Sequence, residues 1–247
     1  VAAELGGEGT AEEVDANLAW MSERYLVTTG AQRMAAHLRL IQRLATEAVA
    51  TELFHHQDLG FSDLVVVTGD LPGLFSLIAG TLAANGVNIL SAQIHTRADR
   101  IALDTFQVND PMGEAITEEP RWTRTLEDLR AVVRNEQTVE ALLARRQAAR
   151  REAAAAPGPA KVALDNQLSD THTVVEVKCP DRVGLLYLIT RTLSREELDI
   201  GSARIATEID QAFDAFYVTD RQGRKIEDPD AVDRIRQALE DALVSPL

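Results

Sequence analysis

Two short turns carry the residue types that could hold a small charged group. Asp70-Leu-Pro-Gly-Leu74 follows a β-branched run ending at Val67 and precedes an apolar helical series, Leu74, Ile78 and Leu82, stopped by Asn85-Gly86. Asp181-Arg-Val-Gly-Leu185 occupies the same context before Ile189 and Leu193. Asp70 can cap the helix, Pro72 pre-sets its first turn, and Gly73 removes a side chain at its mouth. A helix start bared in this way presents backbone N–H groups that suit an anion.

Elements must position these turns, and they occur twice. Gly73 and Gly184 define an offset of 111 that also pairs Asp70 with Asp181, Ile78 with Ile189, Leu82 with Leu193 and Asn88 with Asp199. One residue is lost in the next turn, after which Asp104-Thr-Phe106 faces Asp214-Ala-Phe216. The chain is a tandem duplication, which for 247 residues predicts two small domains after an N-terminal extension. The boundaries read as 1–47 for an acidic leader and helical connector, 48–135 for the first domain, 136–160 for a helical linker and 161–247 for the second domain.

Taken in order, residues 1–16 read as a solvated leader, and Met34, Leu38, Ile41 and Leu44 as a helical stripe begun at Thr28-Thr29-Gly30. Val49–Phe54 reads as a strand, with His55-His56 in the turn after it; no further ligand at useful spacing supports a metal there. Thr117 and Thr138 read as helix caps, and Arg145–Ala156 as an exposed helix end and linker. Asp228-Pro-Asp230 caps the last helix. Each repeat is thus β-α-β-β-α, one strand short of a four-stranded sheet. The strand preceding each unit, Val49–Phe54 or Lys161–Asn166, is predicted to pair as a hairpin with Leu64–Thr68 or Thr173–Lys178, giving two four-stranded sheets. His95 reads as a surface residue, and Asp104 and Asp214 as reached by water near a hairpin end.

Bulk properties narrow the function. Formal net charge is −14, from 39 acidic against 25 basic residues, a surface that repels nucleic-acid backbones and anionic lipid. No apolar run approaches the roughly 20 residues of a membrane span. The start lacks the apolar segment of a signal peptide, and an opening Val reads as a fragment or processed product. The single cysteine, Cys179, excludes an internal disulfide and fits a reducing, cytoplasmic compartment.

The Asp-x-Pro-Gly-Leu turn followed by Asn88-Ile89 resembles the ACT domain, a small-molecule-binding regulatory module. The second copy keeps Asp181, Arg182, Gly184 and Leu185, with Val183 for proline and Asp199-Ile200 for Asn-Ile. Ala92-Gln-Ile-His-Thr96, Ala102-Leu-Asp-Thr-Phe106, Val162-Ala-Leu-Asp-Asn166, Ser202-Ala-Arg-Ile-Ala-Thr207 and Phe216-Tyr-Val-Thr-Asp220 extend the match. Together they are similar to the C-terminal tandem ACT region of the bifunctional PII uridylyltransferase/uridylyl-removing enzyme family. Met21-Ser-Glu-Arg-Tyr-Leu26 resembles the segment joining that family's HD and ACT domains.

The resemblance implies an α+β fold of two ferredoxin-like domains, glutamine or a related amino acid as ligand, and the PII signal protein as partner of the full-length enzyme. ACT–ACT self-association is a further expectation. The implied ligand residues are Asp70, Leu71, Pro72, Gly73, Leu74, Asn88 and Ile89, then Asp181, Arg182, Gly184, Leu185, Asp199 and Ile200. Helix-start N–H groups would take the ligand carboxylate and the aspartates its ammonium. The same aspartates could equally be helix caps, the glycines packing requirements, and Asn88 a turn residue. Magnesium is implied only for catalytic domains whose motifs this sequence lacks: Asp228-Pro-Asp230 has no preceding Gly-Ser, and there is no adjacent His-Asp pair. No catalytic residue, resident cofactor or metal is expected here. Two other readings stand beside this one, a stand-alone double-ACT amino-acid binder and a dimerisation module without ligand.

Overall fold

A computed structural model describes residues 1, 4, 10–150, 158–208 and 211–244. Most of the acidic leader, the arginine/alanine run beyond residue 150 and the tip of the second hairpin lie outside the described residues. Helices α1 (Ala11–Leu18), α2 (Glu23–Thr28) and α3 (Ala31–Arg43) precede β1 (Val49–His56), β2 (Phe61–Gly69), α4 (Leu74–Ala84), β3 (Asn88–Thr96), β4 (Ile101–Asn109), α5 (Glu119–Val133) and α6 (Val139–Arg150). The second unit contains β5 (Lys161–Asp165), β6 (Thr173–Pro180), α7 (Leu185–Arg195), β7 (Leu198–Glu208), β8 (Gln211–Asp220) and α8 (Pro229–Leu243).

All eight strands form one antiparallel sheet in the order β1-β2-β4-β3-β7-β8-β6-β5. The hairpins expected from the preceding strands are present, with Val49 opposite Thr68 and Lys161 opposite Lys178. The expectation of two separate sheets is corrected. β3 and β7 pair through Ser91–Arg204, Ala92–Ala203 and Gln93–Ser202, so each unit uses the unpaired N–H and C=O groups of the other's edge. Bulges at Leu90 and Gly201, equivalent in the repeat, flank this seam.

One face of the sheet carries α4, α5, α7 and α8 over a core continuous across both units, from Leu64, Ile78 and Phe106 to Val175, Ile189 and Phe216. α4 and α7 pack directly, and Gly80 permits it. A β-carbon there would strike Val139 and approach the Tyr187 ring to 2.9 Å. Tyr187 donates to Glu140 Oε1 at 2.6 Å, tying α7 to α6.

On the opposite face, among the described residues, the N-terminal helices cover chiefly the first unit. Met21, Tyr25, Met34 and Leu40 of the N-terminal helices pack on Ala50, Val65, Val67 and Leu103. β2 is therefore buried on both faces, and its run Leu64-Val-Val-Val67 does not alternate. β6 alternates buried and exposed through Val175-Glu-Val-Lys178, because its second face is open.

Several local expectations are revised. The leader is not wholly solvated: Thr10 and Glu13 form a reciprocal capping box on α1, and Val14 is buried against Ala35 and Leu38. His55 and His56 close β1, bonded to Ser62 Oγ at 2.8 Å and Asp63 Oδ2 at 3.3 Å, so the turn starts two residues later, at Gln57. Gly30, the last residue of the expected Thr28-Thr29-Gly30 start, sits at the N-terminus of α3 and supplies no side-chain cap. Glu118 rather than Thr117 precedes α5. Thr138 and Asp228 cap α6 and α8 as expected.

Candidate functional site

The Asp70 and Asp181 loops adopt the same turn. Leu74 N–H donates to Leu71 O at 3.1 Å with Gly73 at φ 73°, and Leu185 N–H donates to Arg182 O at 3.0 Å with Gly184 at φ 82°. These are type II turns, in which the third residue must take positive φ and proline suits the second. Neither aspartate caps its helix, which corrects the expectation for Asp70: the three-residue turn separates the carboxylate from the helix start. Asp70 instead pairs with Arg100 at 3.0 Å, and Asp181 accepts from Thr207 Oγ1 at 3.4 Å. Ser76 Oγ donates to Gly73 O at 2.7 Å. The first intrahelical bond of α4 runs from Leu77 N–H to Gly73 O at 3.1 Å, so the N–H groups of Phe75 and Ser76 have no acceptor within the helix.

Each loop reaches toward the other unit or its seam strand. A β-carbon on Gly73 would lie 3.3 Å from Ser194 Oγ at the end of α7. Asp199, at the start of β7, has its carboxyl raised by desolvation and then by the charge of Asp70. Beneath the loops lie Asp104 and Asp214, only 1% and 3% exposed, which corrects the expectation that water reaches them. Burial pushes Asp104 up to about 8, aided by Asp70, although the His95 N–H opposes it. Asp214 is pushed up to about 7 by burial, with Asp181 adding to it and the Ala206 N–H opposing. In both, Oδ1 has no hydrogen-bond partner. Each buried acid thus lies near the aspartate of its loop with one carboxyl oxygen unpartnered. The offset pairing Asp104 with Asp214 was the available signal, and their strand parity with Phe106 and Phe216 pointed inward.

The other expected residues divide. Leu74, Ile89 and Leu185 are buried core residues, and Leu71 and Ile200 pack at its margin. Pro72 is exposed and shapes the turn. Asn88 donates to Asp110 O at 3.2 Å, and Arg182 donates to Leu243 O at 2.9 Å, anchoring the second loop to α8. Cys179 is buried, its thiol pushed up to about 11 chiefly by desolvation. Among the described residues, no group of three or more His, Cys, Asp or Glu side chains could hold a metal ion, and no helix is long and apolar enough to cross a membrane.

Residues 161–247 match the family described as ACR9-like, ACT-like domain. The chain is also 40% identical over 223 residues to the bifunctional uridylyltransferase/uridylyl-removing enzyme of Rhodospirillum rubrum, covering 89% of this chain and 24% of that enzyme. The Gluconobacter oxydans enzyme of the same name is 40% identical over 80% of this chain and 21% of its own. That of Bradyrhizobium diazoefficiens is 35% identical over 94% and 25%. The chain is a relative of the bifunctional uridylyltransferase/uridylyl-removing enzymes, matched to their C-terminal ACT region, and spans about a quarter of their length.

Proposed function

We propose that this chain is the amino-acid-sensing regulatory region of a PII uridylyltransferase/uridylyl-removing enzyme, built as two ferredoxin-like ACT units with glutamine as ligand. The observation that carries this reading is the placement of the Asp70 loop against Ser194 and within the field of Asp199, both from the second unit. A ligand held there would touch both units and so favour one arrangement of the seam. The N–H groups of Phe75 and Ser76, without acceptors inside α4, suit a carboxylate, while Asp70 and Asp199 suit an ammonium. The pseudo-equivalent loop of the second unit offers Asp181, with Asp214 near it.

In this reading the ligand biases catalytic domains elsewhere in a longer, cytoplasmic protein, through which PII is also met. On the same reading the chain alone neither transfers UMP to PII nor removes it, consistent with the lack of a metal-binding constellation for phosphoryl transfer among the described residues. Calorimetric titration of glutamine into the full chain, with Asp70→Ala and Asp181→Ala beside it, tests the site. Loss of binding in either variant supports it; both variants binding like the parent place the ligand elsewhere. Gly73→Val is the poorer variant, because a β-branched residue at φ 73° strains the backbone whatever the pocket does.

A further inference from the structure

A second concave site lies on the opposite face of the sheet, between the N-terminus of α3 and strands β3 and β4. It encloses about 260 Å³ and includes Gly30, Arg33, His37, Gln93, His95 and Thr105 in its lining. That is room for about eight waters, or a ligand with a similar number of heavy atoms. None of its lining residues is acidic, although the chain carries a net charge of −14.

Three sets of donors converge here. The N-terminus of α3 has no side-chain cap, and its first intrahelical bond runs from Met34 N–H to Gly30 O, so the preceding N–H groups lack acceptors within the helix. Arg33 contributes a guanidinium, one N–H of which is held by Asp63 Oδ2 at 2.7 Å. The third is His37, 2% exposed, with an Nε2 that has no partner.

The proton on His37 can be assigned. Its Nδ1 lies 2.9 Å from the hydroxyl of Tyr25, which is fully buried. Burial raises the Tyr25 phenol well above its ordinary range, so it keeps its proton. Burial, then Arg33 and His95, push His37 down to about 4, so the ring is neutral. The phenol proton needs an acceptor, and Nδ1 is the one in reach. The ring proton therefore sits on Nε2, a buried donor with nothing to donate to. Leaving such a group unsatisfied costs about 1–3 kcal/mol, and an acceptor entering the pocket would recover it.

We propose that this pocket binds a small organic carboxylate, gripped between the His37 Nε2–H, the start of α3 and Arg33. Carboxylate suits the site better than phosphate. Arg33 is the one cation in the lining and shares its charge with Asp63, which leaves less than one positive charge for the ligand and disfavours a dianion. Gln93 and Thr105 offer an amide and a hydroxyl to the ligand's polar tail. The site is separate from the Asp70 and Asp181 loops and does not depend on glutamine binding there. Because α3 supplies one wall and the sheet the other, occupancy would clamp the N-terminal helices onto the first unit.

The test is nitrogen-15 NMR of the full chain, with lactate as probe and lactamide and inorganic phosphate as controls. The ligand-free protein should show His37 protonated at Nε2; protonation at Nδ1 instead removes the orphan donor and overturns the proposal. Lactate should shift the His37 Nε2 and Gln93 amide signals saturably. Arg33→Gln, at a half-exposed side chain, should weaken that response about tenfold or more, whereas Asp70→Ala should leave it unchanged. No response to lactate, a response as large to lactamide or phosphate, or shifts confined to Leu74 and Phe75 would each refute a carboxylate site here.

Discussion

The Arg24 guanidinium donates to the carbonyl oxygen of Gly201 at 2.7 Å, joining α2 to the bulge of β7 in the other unit. A β-carbon on Gly201 would lie 2.9 Å from Arg24 Nη1 and 2.8 Å from His172 Nε2. The N-terminal helices are thus tied to the seam itself, besides their hold on the first hairpin through Trp20 O to Ala98 N–H and Asn17 to Arg97. Arg24→Ala should destabilise by about 1.5–3 kcal/mol, typical of a charge-assisted hydrogen bond. Gly201→Ala should displace the same contact. Hydrogen exchange should quicken in α2 and at β7 together in both variants; exchange confined to α2 would mean that the bond does not couple the two.

The buried carboxylates predict a pH dependence of stability. Asp104 titrates near 3.8 when unfolded and near 8 when folded. Between those values the folded chain holds the extra proton, so stability falls as pH rises, by up to about 1.4 kcal/mol per pH unit for each such group. Asp104→Asn should flatten that slope and raise stability most at the alkaline end. Urea denaturation at two pH values inside the window measures it. An unchanged slope in the variant would show that Asp104 is ionised in the folded chain.

The buried histidines act in the opposite sense. His37 and His95 are pushed down from 6.5 to about 4, both chiefly by desolvation. Between those values the unfolded state binds more protons, so stability is lost as pH falls. Tyr25 stands against both rings, with centroids 5.8 Å from His37 and 5.2 Å from His95. Acidification through this window should release α2 and α3 before the sheet melts, seen as Tyr25 becoming solvent-exposed. His95→Phe should shift that release to lower pH.

Gly80→Ala should cost about 1–3 kcal/mol, since Val139 and the Tyr187 ring leave no space for a methyl group between α4 and α7. Thermal unfolding reads the loss directly. Adding Val139→Ala should restore part of it, and a double variant no more stable than Gly80→Ala alone would place the strain at Tyr187.

Local pattern sufficed for the repeated units, the two loops and the hairpin partners of β1 and β5. Turn chemistry, helical spacing and strand length act between neighbours in sequence, and the offset linking Gly73 to Gly184 doubled each observation. Even the cover over the first unit left a trace, in the unbroken Leu64-Val-Val-Val67 beside the alternating Val175-Glu-Val-Lys178. The joining of both halves into one sheet was decided by edge groups that any strand possesses, so no residue in β3 or β7 announces the seam. The same holds for Asp104, Asp214, His37 and His95. Their protonation follows chiefly from burial, which they acquire only when the chain has folded.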